Sequence, residues 1–244
     1  MLAQAAQSSF ALEPILQGVL ARAKLEHAND RGFDSFYSYS CEKITEFRNA
    51  EGVVIKREDK TDHHTPAAVV DVPPAALAAV EKPDGGPVTA THSNVHGQAI
   101  HKKDLLLTPD LFKRFHFTLV GRQMFNGRPT WVVDFAPASK NLPEHTFKDR
   151  FINKAAGRVW VDAGDYALVK AQLHLTAPVE VGFGLIGAVW KFNYGFERER
   201  TPDGWWFNRN VDWHLEGREV VVKRIVDYRE ETSGLRPVSA LALR

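Results

Sequence analysis

The sequence predicts a mainly β chain with a few helices, organised on one strongly curved antiparallel sheet. Three observations carry that prediction. Between Phe115 and Tyr228, segment after segment alternates apolar and polar residues with a period of two, the pattern of half-buried strands. Tight-turn residues separate the segments, among them Asn126-Gly127, Ala163-Gly164-Asp165 and Pro202-Asp203-Gly204. Helical patterning is confined to the N-terminus and short stretches of the middle, so helices are expected to cover the sheet and not to alternate with its strands.

Composition sets the frame. At 244 residues and 44% hydrophobic, the chain permits one large β domain or two small ones. The reading here is a single domain over 13–232, with 1–12 as a tail and 233–244 as a loose end. The net charge is +1, and Lys and Arg are interleaved with Asp and Glu, as in Glu197-Arg198-Glu199-Arg200. That is the pattern of a solvated strand face and argues against a nucleic-acid partner. The single cysteine, Cys41, excludes an intrachain disulfide, and its alternating position after Tyr37 and Tyr39 reads as a small buried residue. No apolar run reaches the ~18 residues needed to span a bilayer. Ala3-Gln4-Ala5 has the small-x-small form of a signal-peptidase site without the apolar core before it. It reads as the remnant of an export signal, hence a periplasmic protein, or as an ordinary Ala-rich tail.

In chain order, Pro14 to about Asn29 keeps an apolar stripe through Ile15, Leu16, Val19, Leu20, Ala23 and Leu25, so a helix is expected, ended by Asp30-Arg31-Gly32. Phe33–Phe47 alternates as a long strand, turns at Asn49-Ala50-Glu51-Gly52 and returns over Val53–Asp59. From about 60 to 104 the pattern dissolves among five prolines and Gly85-Gly86, which reads as an inserted flap. Thr108-Pro109-Asp110 starts a short helix, and Glu144–Ile152 offers another. The strands follow: Phe115–Leu119, Trp131–Phe135, Gly157–Asp162, Ala167–Leu175, Trp190–Arg200, Trp205–Leu215 and Glu219–Tyr228, with a turn at Glu216-Gly217-Arg218. Meander connections of this kind build an open half-barrel or a closed barrel, and a sheet this wide tends to enclose a cavity.

This order of elements resembles the LolA/LolB-like superfamily of bacterial periplasmic lipoprotein carriers, which includes the outer-membrane lipoprotein-sorting proteins and the RseB-type sensors. The phrases that carry the resemblance are Phe125-Asn126-Gly127-Arg128-Pro129-Thr130-Trp131, Gly157-Arg158-Val159-Trp160-Val161-Asp162 and Asp203-Gly204-Trp205-Trp206. They are strand-and-turn patterns, not catalytic motifs. The resemblance implies an unclosed antiparallel barrel with a helical lid and an apolar interior that holds acyl chains. The inserted 60–104 segment departs from the compact carriers.

Candidate chemistry is sparse. Gly182-Phe-Gly184-Leu-Ile-Gly187 spells a dinucleotide fingerprint, but strand-like alternation follows where a helix is needed. The run reads as a bent strand or as an apolar lip in which Phe183, Leu185, Ile186 and Trp190 meet lipid or a membrane surface. His92, His96 and His101, with His63-His64, sit among polar loop residues and do not form a rigid metal frame. Asp162 and Asp165 flank a turn, and Glu144-His145 lies in a connection, so no acid–base pair is expected. No cofactor is implied. Aromatics make up 11% of the chain, six of them Trp. Phe117, Trp131, Phe135, Trp160, Phe192 and Trp213 are the candidates for a cavity wall. The expected role is non-enzymatic binding of acyl chains or another hydrophobic ligand in the bacterial envelope. The alternative readings are a protein-interaction or sensor module on the same fold, with an envelope protein partner, and, third, a hydrolase.

Overall fold

The computed structural model describes residues 2–66, 107–181 and 187–238. Ten strands form one antiparallel sheet: β1 (Tyr37–Arg48), β2 (Val54–His64), β3 (Phe115–Phe125), β4 (Arg128–Pro137), β5 (Ala155–Asp162), β6 (Leu168–Leu175), β7 (Val179–Val181), β8 (Gly187–Arg200), β9 (Trp206–Glu219) and β10 (Val222–Pro237). The order across the sheet is β2-β1-β10-β9-β8-β6-β5-β4-β3, with β7 beside part of β8. The sheet is not closed, so the architecture is an open half-barrel. Its two edges are β2 and β3, and residues 65–108 connect one edge to the other. On β2, Lys56, Arg57, Glu58, Asp59 and Lys60 place charge along one edge, which opposes pairing with a stray strand.

Among the described residues four helices accompany the sheet: α1 (Leu2–Ala23), α2 (Glu26–Phe36), α3 (Pro109–Phe112) and α4 (Phe147–Ile152). The single helix expected over Pro14–Asn29 is two. α1 begins at Leu2 and carries Pro14 inside it, and α2 runs through Asp30-Arg31-Gly32, the expected stop. The stop signal is overridden because α2 is anchored from its own middle. The buried side chain of Asn29 donates to the Trp206 carbonyl (2.7 Å) and accepts from the Trp206 N–H (3.0 Å). One amide thereby completes the hydrogen bonds of a strand start, a tertiary gain that outweighs a weak local preference. α3 and α4 carry the expected caps: Thr108 accepts from Leu111 N–H (3.2 Å), and Thr146 with Asp149 forms a reciprocal capping box.

Residues directly opposed on antiparallel strands share a face, so the register assigns every strand side chain. The inner face, which α1 and α2 cover in part, carries Phe117, Phe135, Leu173, Tyr194, Trp213 and Tyr228 from successive strands. Ile15 and Val19 of α1 pack there with Val161, against Leu119, Trp131, Val159, Tyr166 and Leu168. Each such burial contributes about 1.5–3 kcal/mol. Gly18 is required at this contact: a Cβ would stand 2.3 Å from the Tyr166 ring. Phe33 of α2 stacks on Tyr37, Tyr39 and Phe207 at 5.0–5.5 Å. A second core, Val132, Trp160, Ala167, Val169 and Trp206, lies on the other face.

Three further expectations are corrected. The turn placed at Glu216-Gly217-Arg218 is strand, and the chain reverses at Val220-Val221, with Val222 paired to Glu219. Hydrogen bonds to both neighbouring strands hold Gly217 in line. The loose end expected from Ser233 is strand as far as Pro237, because β10 pairs along β1 to Tyr37. Arg198 is not on a solvated face. It is 7% exposed and its Nη2 meets Glu26 of α2 at 2.8 Å, so the helix covers it.

Candidate functional site

The helices cover only part of the inner face. α1 and α2 lie over the end of the sheet near Trp131, Val161, Leu168 and Phe207. Towards the other end of the strands the same face continues as half-buried aromatics. A row crosses from α4 to β10: Phe151 to Phe192 at 5.0 Å, Phe192 to Trp213 at 6.4 Å, and Trp213 to Tyr228 at 5.3 Å. On the far side of the trough, Phe115 meets Phe135 at 5.3 Å, and Phe117 meets Phe112 at 5.1 Å. Between the two groups the register places Gly157 opposite Leu173 on one side and Phe135 on the other, and Ala171 opposite Phe196 and Val159. Gly157 and Ala171, with Leu173 and Val159, thus form a floor between two aromatic walls. The aromatics of this face are half-buried, so part of each ring stays within reach of solvent, as at interaction sites.

The wall ends at β10 and β1 in a polar strip. Tyr228 donates to Glu230 (2.6 Å), and Lys43 pairs with Asp62 (3.0 Å). Burial, with Glu230 and Asp212 adding to it, pushes the Tyr194 hydroxyl up to about 12, so it stays protonated near neutrality. Cys41 is buried, and burial together with Glu230 pushes its thiol up to about 11. That is the opposite of an activated nucleophile, in keeping with its reading as a small buried residue.

Of the residues singled out from sequence, Phe117, Trp131, Phe135, Phe192 and Trp213 share the inner face. Trp131 stacks on Tyr166 (5.3 Å) under α1, away from the open half. Trp160 does not belong with them. Strand parity opposes it to Val132 and Lys170, on the other face, where it is 8% exposed and donates to Gln123 (3.1 Å). Trp190 is the extra residue of a bulge between Val189 and Lys191 and is exposed. Phe183, Leu185 and Ile186 lie outside the described residues. Sequence reading missed Phe151, Tyr194 and Tyr228 as wall residues and Leu173 as part of the floor. Tyr194 alternates with Phe192 and could have been taken with it, but Phe151 is placed by α4 and carries no periodic signal.

The other candidates resolve into structural roles. His64 contacts the Asp34 carbonyl (2.7 Å) and stacks on Tyr39, and His63 meets Ser40 (2.9 Å). His92, His96 and His101 lie outside the described residues, among which no group of three or more His, Cys, Asp or Glu could hold a metal. Gly187 opens a strand where a dinucleotide site needs a helix. His145 donates its N–H to Asp149 in the α4 cap. Two shallow clefts, of about 200 Å³ around Arg128, Asp162 and Trp206 and about 340 Å³ around Lys170, Glu197 and Asp212, are polar and open on the face opposite the trough. No described helix is long and apolar enough to cross a membrane.

No protein-family model matches the chain, and no curated protein matches it. Solved structures similar to it include an outer membrane lipoprotein-sorting protein domain from Vibrio parahaemolyticus, 14% identical, with TM-score 0.32, covering 90% of this chain and 95% of that one. A LolA superfamily protein from Nitrosomonas europaea is 9% identical, with TM-score 0.28, over 86% and 90% of the two chains. A chain of the MucA/MucB complex of Pseudomonas aeruginosa is 10% identical, with TM-score 0.26, over 92% and 98%. Superpositions this loose carry neither residue equivalence nor function from one chain to another.

Proposed function

We propose that this protein binds an acyl chain or a comparable hydrophobic ligand in the inner trough, without covalent chemistry. The observation that carries this is the half-buried row Phe151, Phe192, Trp213 and Tyr228, facing Phe135 and Phe117 across a floor of Gly157, Ala171 and Leu173. Each methylene moved from water into such a trough contributes about 0.8 kcal/mol. The polar strip of Lys43, Tyr228 and Glu230 at one side suits the head of an amphipathic ligand. A place in the bacterial envelope, where such ligands are handled, is part of the proposal.

Titration with a fluorescent fatty acid tests the proposal. Saturable binding is expected, weakened at least tenfold by Leu173→Glu, which puts a charge on the floor, and severalfold by Trp213→Ala. Native mass spectrometry of the freshly purified protein is expected to show a bound lipid. Absence of saturable binding, or equal affinity in Leu173→Glu and wild type, defeats the reading.

A second reading follows from β3, which ends the described sheet with Val120 and Met124 exposed along it. A protein partner could add a strand there. Met124→Lys should then abolish capture of that partner while leaving fatty-acid binding unchanged.

A further inference from the structure

The topology sorts the hairpin turns by chemistry. The β3–β4, β5–β6 and β8–β9 turns lie at one end of the sheet and are polar: Asn126-Gly127, Ala163-Gly164-Asp165 and Pro202-Asp203-Gly204. The β1–β2 and β9–β10 turns lie side by side at the opposite end, since Arg48 pairs with Ile225, and Lys223 Nζ donates to the Ala50 carbonyl (3.2 Å). These two turns carry Val53, Val54, Ile55, Val220, Val221 and Val222, six of the eleven exposed large hydrophobics among the described residues. Val221 is 86% exposed.

The fold does not require them. Val220 sits at φ 53, a left-handed conformation that β-branched residues rarely adopt and that Asn or Gly would adopt with less strain. At its other tight two-residue turn the same chain uses Asn126-Gly127, at φ 47 and 74. A residue kept against local preference and pointed into solvent indicates a role outside the fold.

We propose that these paired turns are a docking tip that enters the interfacial layer of a lipid bilayer. Four observations favour a bilayer over a protein partner. The apolar residues belong to two adjacent hairpin ends, with Val220-Val221 at the apex of one and Val53-Val54-Ile55 directly after the Asn49-Ala50-Glu51-Gly52 apex of the other, whereas a protein site of this size is a flat patch or groove. The two ends satisfy their own polar groups: Val53 N–H donates to Asn49 Oδ1 (2.8 Å), Asn49 N–H to the Val53 carbonyl (2.9 Å), and Arg218 to the Val220 carbonyl (2.9 Å). An apolar medium demands that. Lys56, Arg218, Lys223 and Arg224 flank the two turns, interleaved with Glu51, Glu58 and Glu219; Lys56 pairs with Glu58 (2.6 Å) and Arg224 with Glu219 (3.6 Å), and their long stems let the cationic heads reach the phosphate level while the valines go deeper. The aromatic trough runs towards this end, where Phe47 is opposite Val226 and Phe192 is opposite Leu215. Docking would set its mouth at the lipid. The inference needs no ligand in the trough and stands apart from the binding proposal.

Flotation of the full chain with phosphatidylcholine/phosphatidylglycerol vesicles tests it. Wild type is expected to float. V220N/V221S and V53T/I55T are each expected to lower the floating fraction at least fivefold, and the combined variant to abolish it. V220N/V221S relieves the strained turn, so its thermal midpoint is expected to equal or exceed that of wild type, and fatty-acid affinity is expected to be unchanged in both variants. Should V220N/V221S fail to fold, V53T/I55T alone decides. The proposal is overturned if wild type stays with the soluble fraction, if the variants float like wild type, or if the substitutions instead break up a dimer or release a bound protein.

Discussion

Asp162→Asn is expected to destabilise the protein by about 2–4 kcal/mol, the cost of breaking a buried, hydrogen-bonded ion pair whose other member keeps some access to water. The Asp162 side chain is fully buried. It accepts from Arg128 Nε (2.6 Å) and Nη2 (2.9 Å), and from the N–H groups of Gly164 (2.8 Å) and Asp165 (3.1 Å). Those contacts join β4 to the β5–β6 turn, and Asp165 carries the tie onward by accepting from the Trp206 indole (2.8 Å) at the start of β9. Asn keeps the shape but offers Arg128 an N–H₂ group or a neutral oxygen. The pH dependence has a definite sign. Burial acts to raise the Asp162 carboxyl, but Arg128 and the two amides outweigh it and hold the group below its ordinary value of 3.8. A carboxyl with a depressed folded-state pKa contributes its full stability above the unfolded value, and that contribution fades as pH falls through the folded one. The gap between wild type and Asp162→Asn, measured by urea denaturation, should therefore be constant from pH 5 to 7 and narrow below about pH 4. An equal gap at pH 7 and pH 3 would show that the charge is not what Asp162 contributes.

The same residue shows how much was legible in the sequence. Its position in a Gly-containing turn after an alternating arm assigned it to that turn, and its carboxylate does accept from the turn amides of Gly164 and Asp165. Period-two alternation located the long strands from Phe115 onward, because half-buried strands must alternate whatever they pair with. What could not be read was register. Trp160 and Trp131 are equally aromatic and lie on neighbouring strands, yet the pairing of Val132 with Trp160 and of Val133 with Val159 sends the two indoles to opposite faces. A bulge between Trp160 and Val161, with Val169 as the extra residue opposite, then moves Val169 and Leu168 into different cores. A one-residue irregularity of that kind leaves no composition signal.

Helix ends and packing partners were obscured for a related reason. Nothing local says that Asn29 will pair with the backbone of Trp206, or that Arg198 will be buried against Glu26. Both contacts join residues far apart in sequence, and both overrule a local preference: a Gly-containing stop in one case, a run of alternating charge in the other. The candidate site inherits this limit. Its aromatic residues were visible one strand at a time, but the trough exists only where β8, β9 and β10 align Phe192, Trp213 and Tyr228 on one face.

That alignment depends on curvature, and Gly157 is where curvature can be tested. A Cβ on Gly157 would stand 2.0 Å from the Gln172 carbonyl oxygen and 2.8 Å from the Leu173 Cα, both backbone atoms of the adjoining strand. In a flat pair of strands a Cβ points away from its neighbour's backbone, so this approach marks a sharp local bend. No rotamer change can relieve it. Gly157→Ala is therefore expected to cost at or above the upper end of the ~1–3 kcal/mol typical of overpacking, and Gly157→Val to prevent folding. Gly127→Ala makes the comparison: at φ 74 with nothing within 4 Å, it should cost only the ~1–2 kcal/mol of a left-handed alanine. Urea denaturation of the two alanine variants should rank Gly157→Ala as the more destabilised. If the sheet can flatten to admit the methyl group, Gly157→Ala will instead fold with near-normal stability but lose fatty-acid affinity, because the floor between Phe135 and Leu173 will have risen. The first result shows that the bend excludes a side chain, and the second ties it to the trough. A variant that keeps both stability and affinity would place the origin of the curvature elsewhere in the sheet.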